Sequence, residues 1–305
     1  MPSELIHKYM RIDNLPHIWC PGCGNGIIMR DITVAIADLI NDPQIQLNRD
    51  KVVIVSGIGC SSRAAGYMDF NSIHTTHGRA IAFATGMKMA DPTLEVIVIT
   101  GDGDCSAIGG NHLIHAARRN IGITVITMNN NIYGMTGGQY SPTTPTGDKG
   151  TTAPYGNIDR DFDIALLAAG AGATFAARGS AFHVKETTEL IKKGILHQGF
   201  SLVDVYSVCP TYYGRKNKKG SAVDMLKWQK KNLIPEARYN RLPDAQKLDK
   251  KMIGVLTEYE YPEYSKTYLE MSQAHQKTKT KQQQVPRRRV LKDTPVSGSG
   301  SPVKQ

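Results

Sequence analysis

This chain encodes an α/β protein with a doubly wound, mostly parallel sheet, a C-terminal arm and a tail. Five apolar, β-rich runs recur along it, at KVVIVSG (51–57), EVIVIT (95–100), ITVITM (123–128), GATFAAR (172–178) and SLVDVYS (201–207). Between them lie segments of helical periodicity: GRAIAFATGMKMA, AIGGNHLIHAARRN, DFDIALLAAGAG and ETTELIKKGILHQG. Strands that are apolar throughout, rather than at alternate positions, are buried on both faces. That requires helices above and below a parallel sheet.

The elements follow in order. Residues 1–50 carry a Cys-x-x-Cys pair, Cys20 and Cys23, and a first helix over NGIIMRDITVAIADLIND. Residues 51–215 hold the alternating core, whose Val- and Ile-rich runs suit extended backbone while the Ala, Leu, Met and Lys between them suit helix. After Cys209 the pattern loosens into the basic segment GRKNKKG and the helical stretch SAVDMLKWQKKNLI, and residues 216–274 read as a helical arm. The tail, 275–305, is polar and rich in Gln, Ser and Pro, so disorder is expected there.

Composition narrows the function. With 305 residues, 40% apolar and 21% charged, the chain can bury one sizeable core. No apolar run approaches the roughly 20 residues that span a bilayer. The N-terminal stretch MPSELIHKYMRIDNLPHIWC lacks an apolar signal core, so a cytoplasmic protein without membrane contact is expected. The net charge of +10 suggests nucleic acid only at first sight. From His275 onward there are eight Lys or Arg against one Asp, which leaves the body at +3. Five cysteines, an odd number, argue against a disulfide framework.

Three short segments, GIGC, GDGD and NNN, each follow directly on a strand run, which gathers them on one rim of the sheet, where ligands of such folds bind. Mg²⁺ takes oxygen ligands, with only one or two carboxylates and the rest phosphate and water. Asp102 offers a carboxylate, Asn130 an amide oxygen, and the backbone just beyond a carbonyl. Glycines beside Asp102 and a helix starting near Ser106 suit a phosphate at the same spot. The site thus reads as a metal-bridged diphosphate site. A dinucleotide fingerprint is excluded, because Ser106 stands where its last glycine belongs. CPGC alone remains open between a zinc half-site, a dithiol pair and an iron–sulfur ligand pair. His74 and His77 read either as spaced ligands or as helix-capping polar residues. His112 and His115 read as packed or surface residues.

GDG followed 25 residues later by NN is the thiamine-diphosphate signature. Together with WCPGCGNG (19–26), SGIGCSSR (56–63), HTTHGRAIAFATGMKMA (74–90), NNNIYGMTGGQYSPTTP (129–145) and CPTYYGRKN (209–217), it resembles the β subunit of 2-oxoacid:ferredoxin oxidoreductases, most closely the 2-oxoglutarate type. The match spans about 200 residues in order and stops before the tail. It implies the diphosphate-domain fold of thiamine enzymes, with Mg²⁺ held by Asp102, the Asn130 side chain and the Ile132 carbonyl. Gly103, Asp104, Gly134 and Met135 would line the diphosphate, and Ile58, Gly59, Cys60 and Ser61 would lie against the cofactor. His77 and Gly78 would stand at the reacting end, with His77 and Cys60 the catalytic candidates. Cys20, Cys23, Cys60 and Cys209 would bind one 4Fe-4S cluster.

The implied reaction is oxidative decarboxylation of a 2-oxoacid, with coenzyme A accepting the acyl group and electrons leaving singly to ferredoxin. A second α/β domain does not fit in this length, so an obligate α subunit is expected to complete the cofactor site. Ferredoxin is expected near Arg215, Lys216, Lys218 and Lys219. Two departures stand out: Cys105, beside the metal turn, reads as a packing residue, and Gly137 replaces a lysine that holds coenzyme A in some relatives. The alternatives are a non-redox thiamine decarboxylase or synthase subunit, the same chemistry on pyruvate or branched-chain 2-oxoacids, and an interaction module that has lost thiamine.

Overall fold

The computed structural model describes residues 2–248 and 250–283. Helices α1 (Pro2–Tyr9) and α2 (Asn25–Asn41) precede β1 (Val52–Ser56), and α3 (Ala64–Tyr67) leads to β2 (Asn71–His74). Three crossovers follow: α4 (Ala80–Ala90) to β3 (Glu95–Gly101), α5 (Gly110–Arg118) to β4 (Thr124–Asn129), and, after the hairpin β5 (Ile132–Tyr133) and β6 (Gln139–Tyr140), α6 (Ile164–Gly170) to β7 (Phe175–Ser180). Helix α7 (Val184–Leu196) returns to β8 (Ser201–Tyr206). The remainder is α8 (Ala222–Asn232), β9 (Leu233–Pro235), α9 (Glu236–Tyr239), α10 (Asp244–Lys247), β10 (Lys251–Glu258) and α11 (Tyr264–Gln283). The described residues divide into one compact unit up to Thr267 and a second beginning at Tyr268.

Eight strands form one sheet in the order β2-β1-β3-β4-β8-β7-β10-β9. Neighbours run parallel except β10 against β7. Each face carries its own core. Ile28, Ile32 and Ile36 of α2 and Ile191 of α7 pack on Ile54, Ile97, Ile126 and Val203. On the other face Ala84, Leu113, Ala165 and Ala168 pack on Val55, Val98, Val125 and Leu202. Alternate residues of one strand thus serve opposite cores, which is why the strand runs are uninterrupted in hydrophobicity. Helix starts are fixed locally: the Asp163 side chain accepts from Leu166 N at α6, and Ser221 and Asp224 form a capping box on α8. Among the described residues no helix is long and apolar enough to cross a membrane.

Two expectations about the C-terminal part need correction. Residues 216–274 are not a helical arm, because β10 joins the main sheet antiparallel to β7. Lys, Gly, Thr and Glu break up the apolar signal of KMIGVLTE, and the edge of β7 supplies the pairing that the sequence alone does not reveal. Disorder does not begin at His275, since α11 runs on to Gln283; residues 284–305 lie outside the described ones. Edge strand β2, four mostly exposed residues, also escapes the sequence pattern.

Asp31 gives the fold a titration of its own. Its carboxyl is fully buried on α2, with Arg30 Nη1 3.0 Å from Oδ1 and Oδ2 left without a partner. Burial pushes it up to about 7, against the pull of Arg30. An acid raised on folding stabilises the fold fully below its unfolded value, near 4, and loses that contribution as pH rises through its folded value. Asp31→Asn is therefore expected to flatten the pH dependence of the melting temperature between about pH 4 and 7. Thermal unfolding across that range, with and without the substitution, checks this.

Candidate active site

The rim is built from the carboxyl ends of adjacent strands. Gly57–Cys60 follows β1, Asp102–Asp104 follows β3, Asn130 and Asn131 follow β4, and Ser207–Cys209 follows β8. Because β1, β3, β4 and β8 are consecutive neighbours, these loops stand side by side. They enclose a cleft with Ile58, Gly59, Cys60, Ser61 and His77 on one wall and Asp102, Gly103 and Asp104 at its base. Asn130, Ile132, Gly134 and Met135 form the opposite wall. Gly78 stands behind the wall: its N–H donates to Asp104 Oδ1 at 2.6 Å, and an added Cβ would meet Ile108 and the Gly109 backbone.

Asp102 is 2% exposed. Its Oδ2 accepts from Ser141 Oγ at 2.5 Å and from Thr143 Oγ1 at 2.7 Å, and Asn130 N lies 3.5 Å from Oδ1. Burial pushes the carboxyl above its ordinary range, against these donors. Among the described residues no cationic side chain pairs with it. A buried carboxylate without a counter-charge is costly, and a divalent cation would supply that charge. One carboxylate with an amide and a carbonyl suits Mg²⁺, which leaves its other positions to phosphate and water. No three His, Cys, Asp or Glu side chains among the described residues close on a single-ion site, in keeping with a donor set drawn mainly from Asn and backbone oxygen. Gly103 is glycine for a packing reason: an added Cβ would stand 2.2 Å from the ring of Tyr133, whose hydroxyl donates to Gly103 O at 3.1 Å.

Four of the five cysteines converge beside this cleft. Pro21 and Gly22 (φ +80°) make a tight turn closed by Cys23 N–H to Cys20 O at 3.0 Å. A Cβ on Gly134 would lie 3.4 Å from Cys60 Sγ and 3.8 Å from Cys209 Sγ. Trp19 Nε1 donates to Cys60 O at 2.6 Å, tying the N-terminal loop to the GIGC loop. Burial, then repulsion from Cys209, Cys60 and Cys20, pushes the Cys23 thiol up to about 12. Burial, then Cys209 and Cys20, raises Cys60 to about 11. Burial raises Cys209 as well, with smaller contributions from Cys20 and Asp102. Backbone N–H groups near three of the sulfurs oppose that rise: Asn25 at Cys23, Met135 at Cys60, Tyr212 and Tyr213 at Cys209. Donors aimed at sulfurs that resist ionisation on their own suit thiolates paid off by a cationic iron core. Thiolates of a cubane bind four different irons and stand farther apart than the ligands of one ion. Cys105 lies apart, buried in the core against α5.

Residues 57–205 match the family described as "Thiamine pyrophosphate enzyme, C-terminal TPP binding domain". The chain is 50% identical over 256 residues to the 2-oxoglutarate synthase subunit KorB of Methanothermobacter marburgensis, covering 84% of this chain and 88% of that one. It is 51% identical over 257 residues to the subunit of the same name in Methanocaldococcus jannaschii, covering 84% and 93%. The chain belongs to the β subunits of the 2-oxoacid:ferredoxin oxidoreductases. A solved structure agrees: the 2-oxoglutarate:ferredoxin oxidoreductase from Magnetococcus marinus, with 2-oxoglutarate, coenzyme A and succinyl-CoA bound, matches with a TM-score of 0.76. It is 32% identical and covers 92% of this chain and 96% of its own.

In this oxidoreductase β subunit, the Asp104 carboxylate ties the loops after β1 and β2 to strand β3. Oδ1 contacts His77 Nδ1 and accepts from Gly78 N, with Ile58 N at 3.5 Å, while Oδ2 accepts from Thr100 Oγ1 at 2.8 Å. A carboxylate only accepts, so Nδ1 of His77 carries the proton in this contact. His74 is not in the cleft; its Nδ1 bonds Ser56 Oγ at 2.8 Å. His112 contacts Arg79 on the surface. Gly137, with φ +112°, occupies a conformation that only glycine adopts cheaply, so a lysine there would demand a different loop. Sequence reasoning missed Ser141 and Thr143, which hold Asp102, and Asn129, whose Oδ1 lies 3.1 Å from Thr143 Oγ1 and 3.3 Å from Asn131 N. The run SPTTP after the hairpin was the available signal.

Proposed function

We propose that this chain, joined to an α subunit, oxidatively decarboxylates 2-oxoglutarate in the presence of coenzyme A to give succinyl-CoA and CO₂. Electrons leave through one 4Fe-4S cluster to ferredoxin. The observation that carries the reading is the juxtaposition of an unpaired, buried Asp102 carboxylate with four converging thiols at one sheet edge. Thiamine diphosphate, when bound, supplies the acceptor for the electron pair released with CO₂. Asp102, the Asn130 side chain and the Ile132 carbonyl hold Mg²⁺. Gly103, Asp104, Gly134 and Met135 line the diphosphate, and Ile58, Gly59, Cys60 and Ser61 bear on the cofactor. Asp104 holds the His77 ring through Nδ1, which leaves Nε2 to hold or move a proton at the substrate, with Gly78 fixing the turn behind it. Cys20, Cys23, Cys60 and Cys209 hold the cluster, and Cys60 links it to the cofactor wall. Their convergence counts against a non-redox thiamine enzyme.

The cleft carries exposed apolar side chains: Ile58 is 47% and Met135 41% exposed. Such a rim supports coverage by the α subunit, which would also read the substrate and supply cations for coenzyme A that Gly137 does not. Free thiols in this number suit the reducing cytoplasm. The test is co-purification with the α subunit under argon and viologen reduction across a panel of 2-oxoacids. The expected outcome is coenzyme A-dependent reduction that is fastest with 2-oxoglutarate. CO₂ release without viologen reduction would indicate the non-redox enzyme, and preference for pyruvate would overturn the substrate.

A further inference from the structure

The four thiols differ in their access to solvent. Cys209 is buried, Cys60 and Cys23 are half-buried, and Cys20 is exposed. A cluster held by this set, on the reading given above, approaches the surface on its Cys20 side, and electron transfer falls steeply with distance. The surface around Cys20 is therefore where an acceptor must sit. It has an apolar centre: Ile18 is 67% exposed, Pro21 is exposed, and Gly22 packs so tightly on α8 that an added Cβ would stand 2.6 Å from Ala222 Cβ. Val223, 57% exposed, extends that centre along α8.

The rim of this patch is basic. Pro210, 3.6 Å from the same built Cβ, opens the turn Pro210–Gly214, which delivers Arg215, Lys216 and Lys218 to the surface. None of the three has an ion-pair partner among the described residues. Lys219 does not join them, because its Nζ lies 3.1 Å from Asp148 and 5.6 Å from the Tyr213 ring centre. Asp224, the nearby carboxylate, is engaged in capping α8 through Ser221 N at 2.9 Å. An apolar centre flanked by unpaired cations is the complement of a small acidic protein.

We propose that this surface, Ile18, Pro21 and Val223 flanked by Arg215, Lys216 and Lys218, docks the electron acceptor, an acidic one-electron carrier protein that contacts the Cys20 loop. Charge at the rim governs encounter and salt dependence, while the apolar centre governs the distance to the cluster.

The assembled αβ enzyme bearing K216E and K218E together tests this, with R119E, at the carboxyl-terminal cap of α5, as control. An acidic ferredoxin is the probe, and its affinity is measured calorimetrically at low and high salt. Ferredoxin and viologen reduction are followed in parallel. The double variant is expected to bind roughly tenfold more weakly and to lose most of its salt dependence. KM for ferredoxin should rise while the viologen rate stays at the wild-type value, and R119E should change nothing. Equal affinity and salt dependence in wild type and double variant would overturn the proposal. So would protection of Lys216 and Lys218 from acylation by the α subunit alone, which would make this face part of the subunit interface. A wild-type complex that fails to reduce viologen fails the functional reading itself, before any ferredoxin is added.

Discussion

In the assembled enzyme, Asp102→Asn is expected to abolish uptake of Mg²⁺ and thiamine diphosphate and to lower turnover roughly a thousandfold, equivalent to about 4 kcal/mol. The substitution keeps the size of the side chain and removes its charge. Ser141 and Thr143 can still donate to the amide oxygen, so the loop they hold should stay in place. The apoprotein should even gain stability, because a fully buried carboxylate without a counter-charge opposes folding. The wild type instead draws its stability at this site from ligand binding. Two measurements separate these effects. Calorimetric titration with thiamine diphosphate and Mg²⁺ should show binding only to the wild type. Thermal unfolding should show a higher Tm for apo Asp102→Asn and no rise on adding the pair. Binding at wild-type affinity by the variant would remove Asp102 from the metal site.

The second large effect concerns sulfur. Cys23→Ser, Cys60→Ser and Cys209→Ser are each expected to lose nearly all bound iron and the broad visible absorption that bleaches on reduction. Cys105→Ser should keep both. The distinction is structural: backbone N–H groups converge on the first three sulfurs, whereas Cys105 packs in the core beside Leu113 and Ala116. Serine presents a harder, less readily ionised oxygen to iron, so the backbone donors have no thiolate to stabilise. Cys60→Ser should in addition weaken thiamine diphosphate binding, because Cys60 lines the cofactor cleft and Trp19 anchors its carbonyl. Iron analysis of proteins reconstituted under argon decides the matter. Retention of the cluster in Cys23→Ser together with its loss in Cys105→Ser would reverse the ligand assignment.

The sheet was legible in the sequence where burial on both faces left a plain signature. Val52–Val55 and Val96–Ile99 are apolar along their length, and Val125–Met128 is broken only by the buried Thr127, because alternate residues feed opposite cores. The rim followed from them, since GIGC, GDGD and NNN sit one step beyond those runs. What stayed hidden depends on contacts across long sequence separations. Ser141 and Thr143 reach Asp102 from some forty residues away through a loop with no periodicity. Gly103 could be read as a place of close approach, but the approaching group, the Tyr133 ring, could not. Asp104 could be read as a residue of the rim, but that its carboxylate bonds His77, Gly78 and Thr100 follows only from the fold. Strand β10 was missed because its partner, the outer edge of β7, decides its conformation.

The two margins of the sheet end in β2, four residues long, and β9, three residues long and closed by Pro235. Strands that short offer few unpaired amides, and proline offers none, so a second molecule finds no template on which to extend the ladder. A chain whose sheet ends in such margins is thereby shielded from fibre growth at its flanks.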